Sequence, residues 1–442
     1  VTSIGTYVFN GCTALKSITV PQGVTTISNY TFQNCTALES VTLGSGLKSI
    51  NQYAFSGCSA LQTISIPESV TSIGTYVFNG CTALKSITVP QGVTTISNYT
   101  FQNCSALESV TLGSNVKSIN QYAFSGCSSL QAISIPESVI SIGTYVFNGC
   151  TALKSITVPQ GVTTINNYTF QNCTALESVT LGNKVKTLGN YAFYGCSSLK
   201  VIELPETIST LGSNLTVGAT NLSVYVCNAT PFAWNNSFKV SDEAYAPIYV
   251  VYGAKADYNA ANNWNLSAVN EVVPTIAVDM ENKVNVLNYE VASFAVPMTY
   301  TYEESVPTRF IEANNTIVEA EADVVVKFKK VIEKGVSLQD LEGYTSVEAQ
   351  LNEDGTYSAD LLRYLEPNTK YEYHWEFVLG NNEPVVGAVD YFTTSDMITE
   401  VENIGVSIDN AEYYNMQGVK VAYPTNGIFI MKQGNKTIKV IR

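Results

Sequence analysis

Ten cysteines and one histidine, His374, are the side chains of this 442-residue chain best suited to covalent or acid–base chemistry. Nine of the cysteines fall at Cys12, Cys35, Cys58, Cys81, Cys104, Cys127, Cys150, Cys173 and Cys196, always 23 residues apart. Disulfides, a metal centre or a reactive thiolate are the options such a series raises. Stacked equivalents would lie ~4.8 Å apart with parallel Cα–Cβ vectors, whereas a disulfide needs Cβ atoms ~3.8 Å apart and converging. No Cys-x-x-Cys occurs, and one ligand per repeat cannot converge tetrahedrally on zinc. Each cysteine sits between a Phe three residues before it and a Leu three residues after it, where a thiol acts as a small hydrophobe. The expectation is a buried, reduced ladder without metal or cofactor. Cys227 lies off the ladder and is expected to be a buried free thiol.

A Ser-His-Asp or Cys-His site would have to use His374. It lies in Tyr371-Glu372-Tyr373-His374-Trp375-Glu376-Phe377, where alternation puts the aromatics on one strand face and Glu372, His374 and Glu376 on the other. That second face reads as solvated, not catalytic. Walker, Rossmann, His-Glu-x-x-His and EF-hand patterns are missing. Thirty acidic residues lie beyond residue 212, but no motif pairs two of them for glycoside hydrolysis. No catalytic residue is assigned.

The elements that position these residues follow from the repeat. Phe9 to Phe193 and Leu15 to Leu199 keep the same 23-residue period, as do Ile18, Val20, Val24 and Ile27 through Ile202, Leu204, Ile208 and Leu211. A unit this short cannot bury an apolar face alone, but stacked units can, which defines a solenoid. In each unit Ser17-Ile18-Thr19-Val20 alternates and ends at Pro21, which reads as one short strand. Residues 1–69 and 70–138 differ at five positions only, so a three-unit block has been copied. Val1-Thr2-Ser3-Ile4-Gly5 repeats as Val70-Thr71-Ser72-Ile73-Gly74, so the chain reads as N-terminally truncated within a repeat.

The pattern Ile4-Gly5-x-Tyr7-x-Phe9-x-Gly11-Cys12-x-x-Leu15-x-x-Ile18-x-Val20-Pro21 resembles the BspA-like class of leucine-rich repeat over residues 1 to about 212. The resemblance implies right-handed coils in a cell-surface or secreted protein, mostly of host-associated bacteria, described mainly as adhesins or binding proteins.

Tyrosine makes a second ladder: Tyr7, Tyr30, Tyr53, Tyr76, Tyr99, Tyr122, Tyr145, Tyr168 and Tyr191. Nine rings in file would form a flat recognition strip on the outside of the convex side, or would stack on one another and shield the backbone. The strand's outward residues, Ser17, Ser40 and Thr63 with Thr19, Thr42 and Ser65, form a hydroxyl face. Beside it run Lys16, Glu39, Gln62, Lys85, Glu108, Gln131, Lys154, Glu177 and Lys200, whose unlike charges on adjacent coils could pair. This face reads equally as register control or as a polar binding surface.

The fold expected is mainly β: a leucine-rich-repeat solenoid of 23-residue coils, then a β-sandwich, then a small C-terminal β domain. Residues 213–272 read as the solenoid cap, with strands at Val224–Val226 and Ile248–Val250 and a helix over Ala254–Asn263 that turns Tyr258 and Trp264 inward. In residues 273–396, Asp323–Lys329 and Tyr371–Phe377 alternate as strands. Leu365-Glu366-Pro367-Asn368-Thr369-Lys370-Tyr371 there resembles the tyrosine corner of a fibronectin type III or immunoglobulin-like sandwich. Residues 397–442 read as three short strands. Tyr414-Asn415-Met416-Gln417-Gly418 with Gly427-Ile428-Phe429-Ile430 resembles a C-terminal sorting-like β domain of exported proteins.

Charge divides unevenly. Residues 1–212 hold 8 Lys+Arg and 7 Asp+Glu; residues 213–442 hold 15 and 30. No basic footprint for nucleic acid exists, and no apolar run is long enough for a membrane span. Three functions remain. The first is a non-enzymatic surface-exposed binding protein whose partner is a host or bacterial surface protein or glycan. The second is a spacer presenting an upstream domain. The third is a carbohydrate-active enzyme.

Overall fold

The computed structural model describes residues 2–232, 237–261, 269–278, 284–287, 292–303, 306–330, 344–353, 356–361, 365, 369–379, 384–393, 412–414, 420–421, 428–433 and 436–441. Through residue 212 the chain winds in coils that each carry two short parallel strands. The first strand, Ser17–Thr19, is the one its alternation predicts. The second, Thr26–Ile27, is a correction to the expectation of one strand per coil. Two residues are too few for a period of two to show. The register is a strict 23-residue offset: Ser17 pairs with Ser40, Ile18 with Val41, and Thr26 with Ser49.

That offset stacks like on like. Ile18-equivalents point inward while Ser17- and Thr19-equivalents stay exposed, as in Ser40–Thr42. Phe32 through Phe193 are fully buried, and the rings from Phe9 onward stack with centroids 5.2–5.7 Å apart and planes within 8°. Leu, Ile and Val equivalents complete one continuous core.

The thiols are part of this core, and they also bond between coils. Cys35 Sγ donates to the Phe9 carbonyl at 3.0 Å, and Cys104 Sγ to that of Phe78 at 3.1 Å. Burial pushes the Cys104 and Cys150 thiols up to about 12. A thiol held protonated in this way is a poor nucleophile and a poor metal ligand. Cys12, in the first coil, is the one cysteine left partly exposed. At mildly alkaline pH a thiol-specific reagent should therefore label the native chain at Cys12 alone and the denatured chain at all ten. Rapid native labelling of Cys104 would contradict the closed ladder.

The solenoid sheet continues through Ser223–Val226, Ile248–Val250 and Val269–Glu271, all parallel. Helix α1, Lys255–Ala260, is shorter than expected, and Trp264 and Asn263 lie outside the described residues. Tyr258 is buried as predicted, and its hydroxyl donates to the Asn228 carbonyl at 2.8 Å. Cys227 is buried beside Glu203, Sγ to Oε1 3.8 Å.

Two antiparallel sheets follow. In the first, Ala292–Thr301 pairs with Thr275–Val278, Val284–Leu287 and Thr356–Asp360. In the second, Ala322–Lys330 pairs with Thr345–Glu348 and along its length with Lys370–Leu379. Tyr373, Trp375 and Phe377 pack with Val324, Val326 and Leu361 between them. Glu366, Pro367 and Asn368 of the expected corner lie outside the described residues. His374 corrects the expectation of a solvated face, being only 7% exposed. Its Nε2 lies 3.1 Å from Glu376 Oε1, the Tyr344 ring stands edge-on to it, and the Tyr344 hydroxyl donates to Glu372. Alternation tells which residues share a face, not what covers that face.

Helix α2, Thr308–Glu321, is unpredicted. Its apolar residues Phe310, Ala313, Ile317 and Val318 keep helical spacing, but Thr, Asn, Ile and Val there are weak helix formers. Phe310 is fully buried and edge-on to Tyr225 at 5.2 Å. Arg309 Nη2 donates to the Leu181 carbonyl at 2.6 Å, and its Nε lies 4.0 Å from Glu203 Oε2. Tertiary packing on the solenoid sheet makes this helix. In the tail, the stretch around Tyr413–Val421 expected as one strand is two, Glu412–Tyr414 and Lys420–Val421, joined by Ile428–Gln433 and Lys436–Ile441 in one antiparallel sheet.

Candidate binding surface of the solenoid

The tyrosine ladder is the most regular surface feature. All nine predicted rings stand in one file, with centroids 4.3–5.1 Å apart and planes within 9°. From Tyr30 to Tyr191 each is half-buried. The rings cover one another's faces, so a partner meets only ring edges and phenol oxygens.

Sequence reasoning missed the backbone beneath them. Every ladder tyrosine has φ between 56° and 63°. This left-handed region costs a residue with a Cβ roughly 1–2 kcal/mol. Its use is visible in the hydrogen bonds. A positive-φ residue turns neighbouring N–H groups to one side. Tyr7, Phe9 and Gly11 thus all donate forward, to the carbonyls of Asn29, Thr31 and Gln33 in the next coil. The same bonds recur coil after coil: Phe32 to Ala54, Phe55 to Val77, Phe78 to Thr100. Since Thr31 C=O and Phe32 N–H belong to one peptide unit, these bonds form unbroken peptide chains along the solenoid.

A second left-handed position lies four residues on, and there the residue is the expected Gly or Asn. Gly57 has φ 74°, and a Cβ there would lie 2.3 Å from Asn34 Oδ1. Asn34, Asn103 and Asn172 fill the same position in other coils. The tenth position of the tyrosine ladder is also informative. Asn214, 23 residues after Tyr191, holds φ 52°, and its Nδ2 donates to the Tyr191 hydroxyl at 3.1 Å. The backbone is therefore satisfied by asparagine, and tyrosine at the other nine positions is there for its ring. At the tyrosine positions themselves, the interruption at Asn214 was the one sequence signal of left-handed geometry.

The phenols also influence one another's ionisation. Burial, and then repulsion from Tyr99 and Tyr53, pushes Tyr76 up to about 12, and Tyr145 is raised for the same reasons. An unfolded phenol ionises near 10. The native state thus holds these protons more tightly. Their contribution is complete below pH ~10 and is lost as pH climbs toward 12. Alkaline titration followed by ultraviolet absorbance should show a late group of tyrosines whose ionisation coincides with unfolding. A single transition near 10 in the folded chain would contradict the coupled ladder.

The hydroxyl face is flat in register, but its charge row is mostly unpaired. Among the described residues the one ladder ion pair is Lys200 with Glu177 at 2.6 Å, both largely exposed. Of the Lys and Glu neighbours on adjacent coils that could pair, this is the one that does. Exposed long side chains gain too little from pairing to hold one geometry. Two clefts of about 430 Å³ flank α2. Tyr225, Tyr249, Tyr302, Glu271 and Glu303 help line one; Arg309, Glu206, Glu312 and Cys227 help line the other. Among the described residues no group of three or more His, Cys, Asp or Glu is placed to share a metal ion. No helix among them is long and apolar enough to cross a membrane.

Parallel two-strand coils of 23 residues around a Leu, Ile, Val and Phe core define a leucine-rich-repeat solenoid. The chain belongs to the family described as the BspA type Leucine rich repeat region, whose model matches residues 2–131 and 117–242 in six copies. No curated protein matches it. Among solved structures it is similar to the Treponema pallidum leucine-rich repeat protein at 36% identity, over 35% of this chain and 72% of that one, with a TM-score of 0.34. A leucine-rich cell surface protein of Faecalibacterium prausnitzii matches at 28% identity, over 61% and 82%, with a TM-score of 0.40. A leucine-rich repeat protein of Bacteroides ovatus matches at 26% identity, over 57% and 88%, with a TM-score of 0.31.

Proposed function

We propose that this chain is a non-enzymatic binding protein of the cell surface or the secreted fraction, and that it holds protein or glycan partners along the tyrosine ladder. The observation that carries this reading is the choice of tyrosine at nine left-handed positions where Asn214 serves the backbone as well. Backbone strain that persists without a backbone need points to function. A spacer needs no rings there, and an enzyme needs a cleft chemistry that the solenoid does not supply. The sandwich is read as a fibronectin type III or immunoglobulin-like module, and the tail as a sorting-like β domain. The near-neutral solenoid implies contacts that respond weakly to salt.

The test is a glycan and matrix-protein array probed with the whole chain and with the Tyr99→Asn, Tyr122→Asn, Tyr145→Asn triple variant. Asparagine keeps the left-handed backbone. Loss of the array signals in the variant is expected, and unchanged signals would remove the ladder from the binding surface.

A further inference from the structure

We infer that the partner of the tyrosine ladder is a cross-β fibre, docked side-on with its axis along the solenoid, one phenol per strand layer. This rests on the reading of the ladder as the binding surface.

The argument begins with what the ladder withholds. A sugar ring or a single aromatic side chain binds tyrosine best through the ring face. Those faces are already taken by the neighbouring rings, which lie 4.3–5.1 Å apart. What remains is a row of edges and hydroxyls with one fixed repeat. A single extended peptide advances ~3.3 Å per residue, so its same-side residues recur every ~6.6 Å and lose step with the ladder within two coils. A cross-β fibre repeats every ~4.7–4.8 Å and shows identical side chains, often Asn and Gln, in rows along its axis. That repeat falls inside the spacing of the rings.

A second row on the solenoid has the same chemistry as such a fibre. Three residues after the tyrosines run Asn10, Gln33, Ser56, Asn79, Gln102, Ser125, Asn148, Gln171 and Tyr194, so six amides occupy two coils of every three through Gln171. Asn79 Nδ2 donates to Gln102 Oε1 at 2.9 Å, and the Asn10–Gln33 and Asn148–Gln171 pairs match it. All six are at least partly exposed. The phenol row thus runs beside amide pairs that share its coil spacing and recur every third coil, with the buried Ser56 and Ser125 between them. Each amide keeps donor or acceptor capacity beyond the bond it makes. The Tyr76 and Tyr145 hydroxyls already bond to their neighbours in the file, so what these phenols offer a partner is a remaining oxygen lone pair. One weak contact per layer, repeated over a rigid row, adds up through effective concentration. The solenoid's balanced charge, 8 basic against 7 acidic residues, sets up no long-range repulsion toward an uncharged fibre.

The experiment is co-sedimentation of the whole chain with fibres of a synthetic Gln/Asn-rich heptapeptide. The same peptide unassembled and an amorphous aggregate of it serve as comparisons. The chain should pellet with the fibres alone and decorate their sides in electron micrographs. The triple Tyr→Asn variant, shown to be folded by circular dichroism, should bind at least about tenfold more weakly. If the chain ignores fibres yet binds a soluble protein or glycan through the tyrosines, this inference fails and the ladder reading stands. If it binds fibres and the variant binds them equally well, the ladder is not the surface and both fail. Tyrosine-dependent dimers in sedimentation velocity, without fibre binding, would give the ladder to a second copy and overturn the inference.

Discussion

Phe101→Ala is expected to cost about 3–5 kcal/mol, as for other fully buried aromatics. Phe101 is fully buried, with the Phe78 and Phe124 rings at 5.5 and 5.3 Å. Its backbone is tied on both sides: its N–H donates to Ala123, and its carbonyl accepts from Cys104 N–H and from the Cys127 thiol. The backbone has no freedom to collapse into the space the ring leaves. In a nearest-neighbour array the loss falls on two interfaces at once. Urea denaturation should therefore show a lower midpoint and a broadened or split transition, as the coils on either side melt apart. Phe9→Ala is the control, because Phe9 lies in the first coil and is only partly buried. It should cost clearly less. Equal costs, or a Phe101→Ala cost below about 1 kcal/mol, would mean that the phenylalanine file is not the spine of the core.

Asn314→Ala is expected to cost about 2–4 kcal/mol and to loosen α2 from the solenoid. Asn314 is fully buried. Its Oδ1 accepts from Tyr252 N–H at 2.6 Å, and its Nδ2 donates to the Val272 carbonyl at 3.2 Å and to the Tyr302 hydroxyl at 3.1 Å. One amide thus joins the helix to the solenoid's closing turn and to two segments that lead into the sheets. Alanine removes all three bonds and leaves their partners to find replacements. Asn314→Asp keeps the shape but cannot donate to Val272, so it should be destabilised as well. The measurements are thermal melting and limited proteolysis near residues 303–308. Melting and cleavage like those of the parent chain would show that packing of Phe310, not this amide, holds the helix.

The solenoid was legible because its information is repeated. Each Phe, Cys and Leu recurs often enough for noise to cancel, and like-on-like stacking then follows from geometry. Burial of the thiols followed from their place between Phe and Leu. What stayed hidden has physical reasons. The Thr26–Ile27 strand is shorter than one alternation. Helix α2 exists because a sheet face receives it, and its own propensity argues against it. His374 sits on the strand face its alternation gave, but Tyr344, distant in sequence, covers that face. The nine tyrosine positions were legible as a file. Their left-handed backbone was not, because tyrosine is a residue that rarely adopts it, and Asn214 alone carries the ordinary signature.

The forward-pointing peptide bonds beneath the tyrosines have an electrical consequence. Strand peptides point alternately and largely cancel. The peptides that carry Tyr7, Phe9 and Gly11 N–H, and their equivalents in later coils, all point the same way. Each contributes a dipole of ~3.5 D, and head-to-tail alignment adds them as it does in an α-helix. The sign along the chain is the reverse of a helix: N–H groups face forward, so the positive pole is at the C-terminal end. There the last N–H groups, on Leu215 and Gly218, find the carbonyls of Ser237 and Val240. The other side of each coil runs the opposite way: Thr25, Ser28 and Glu39 donate back to Thr2, Ile4 and Lys16, and their equivalents in later coils do the same. The solenoid thus carries two opposed rows of peptide dipoles that offset one another at a distance, while the surface beside each row feels a field of opposite direction.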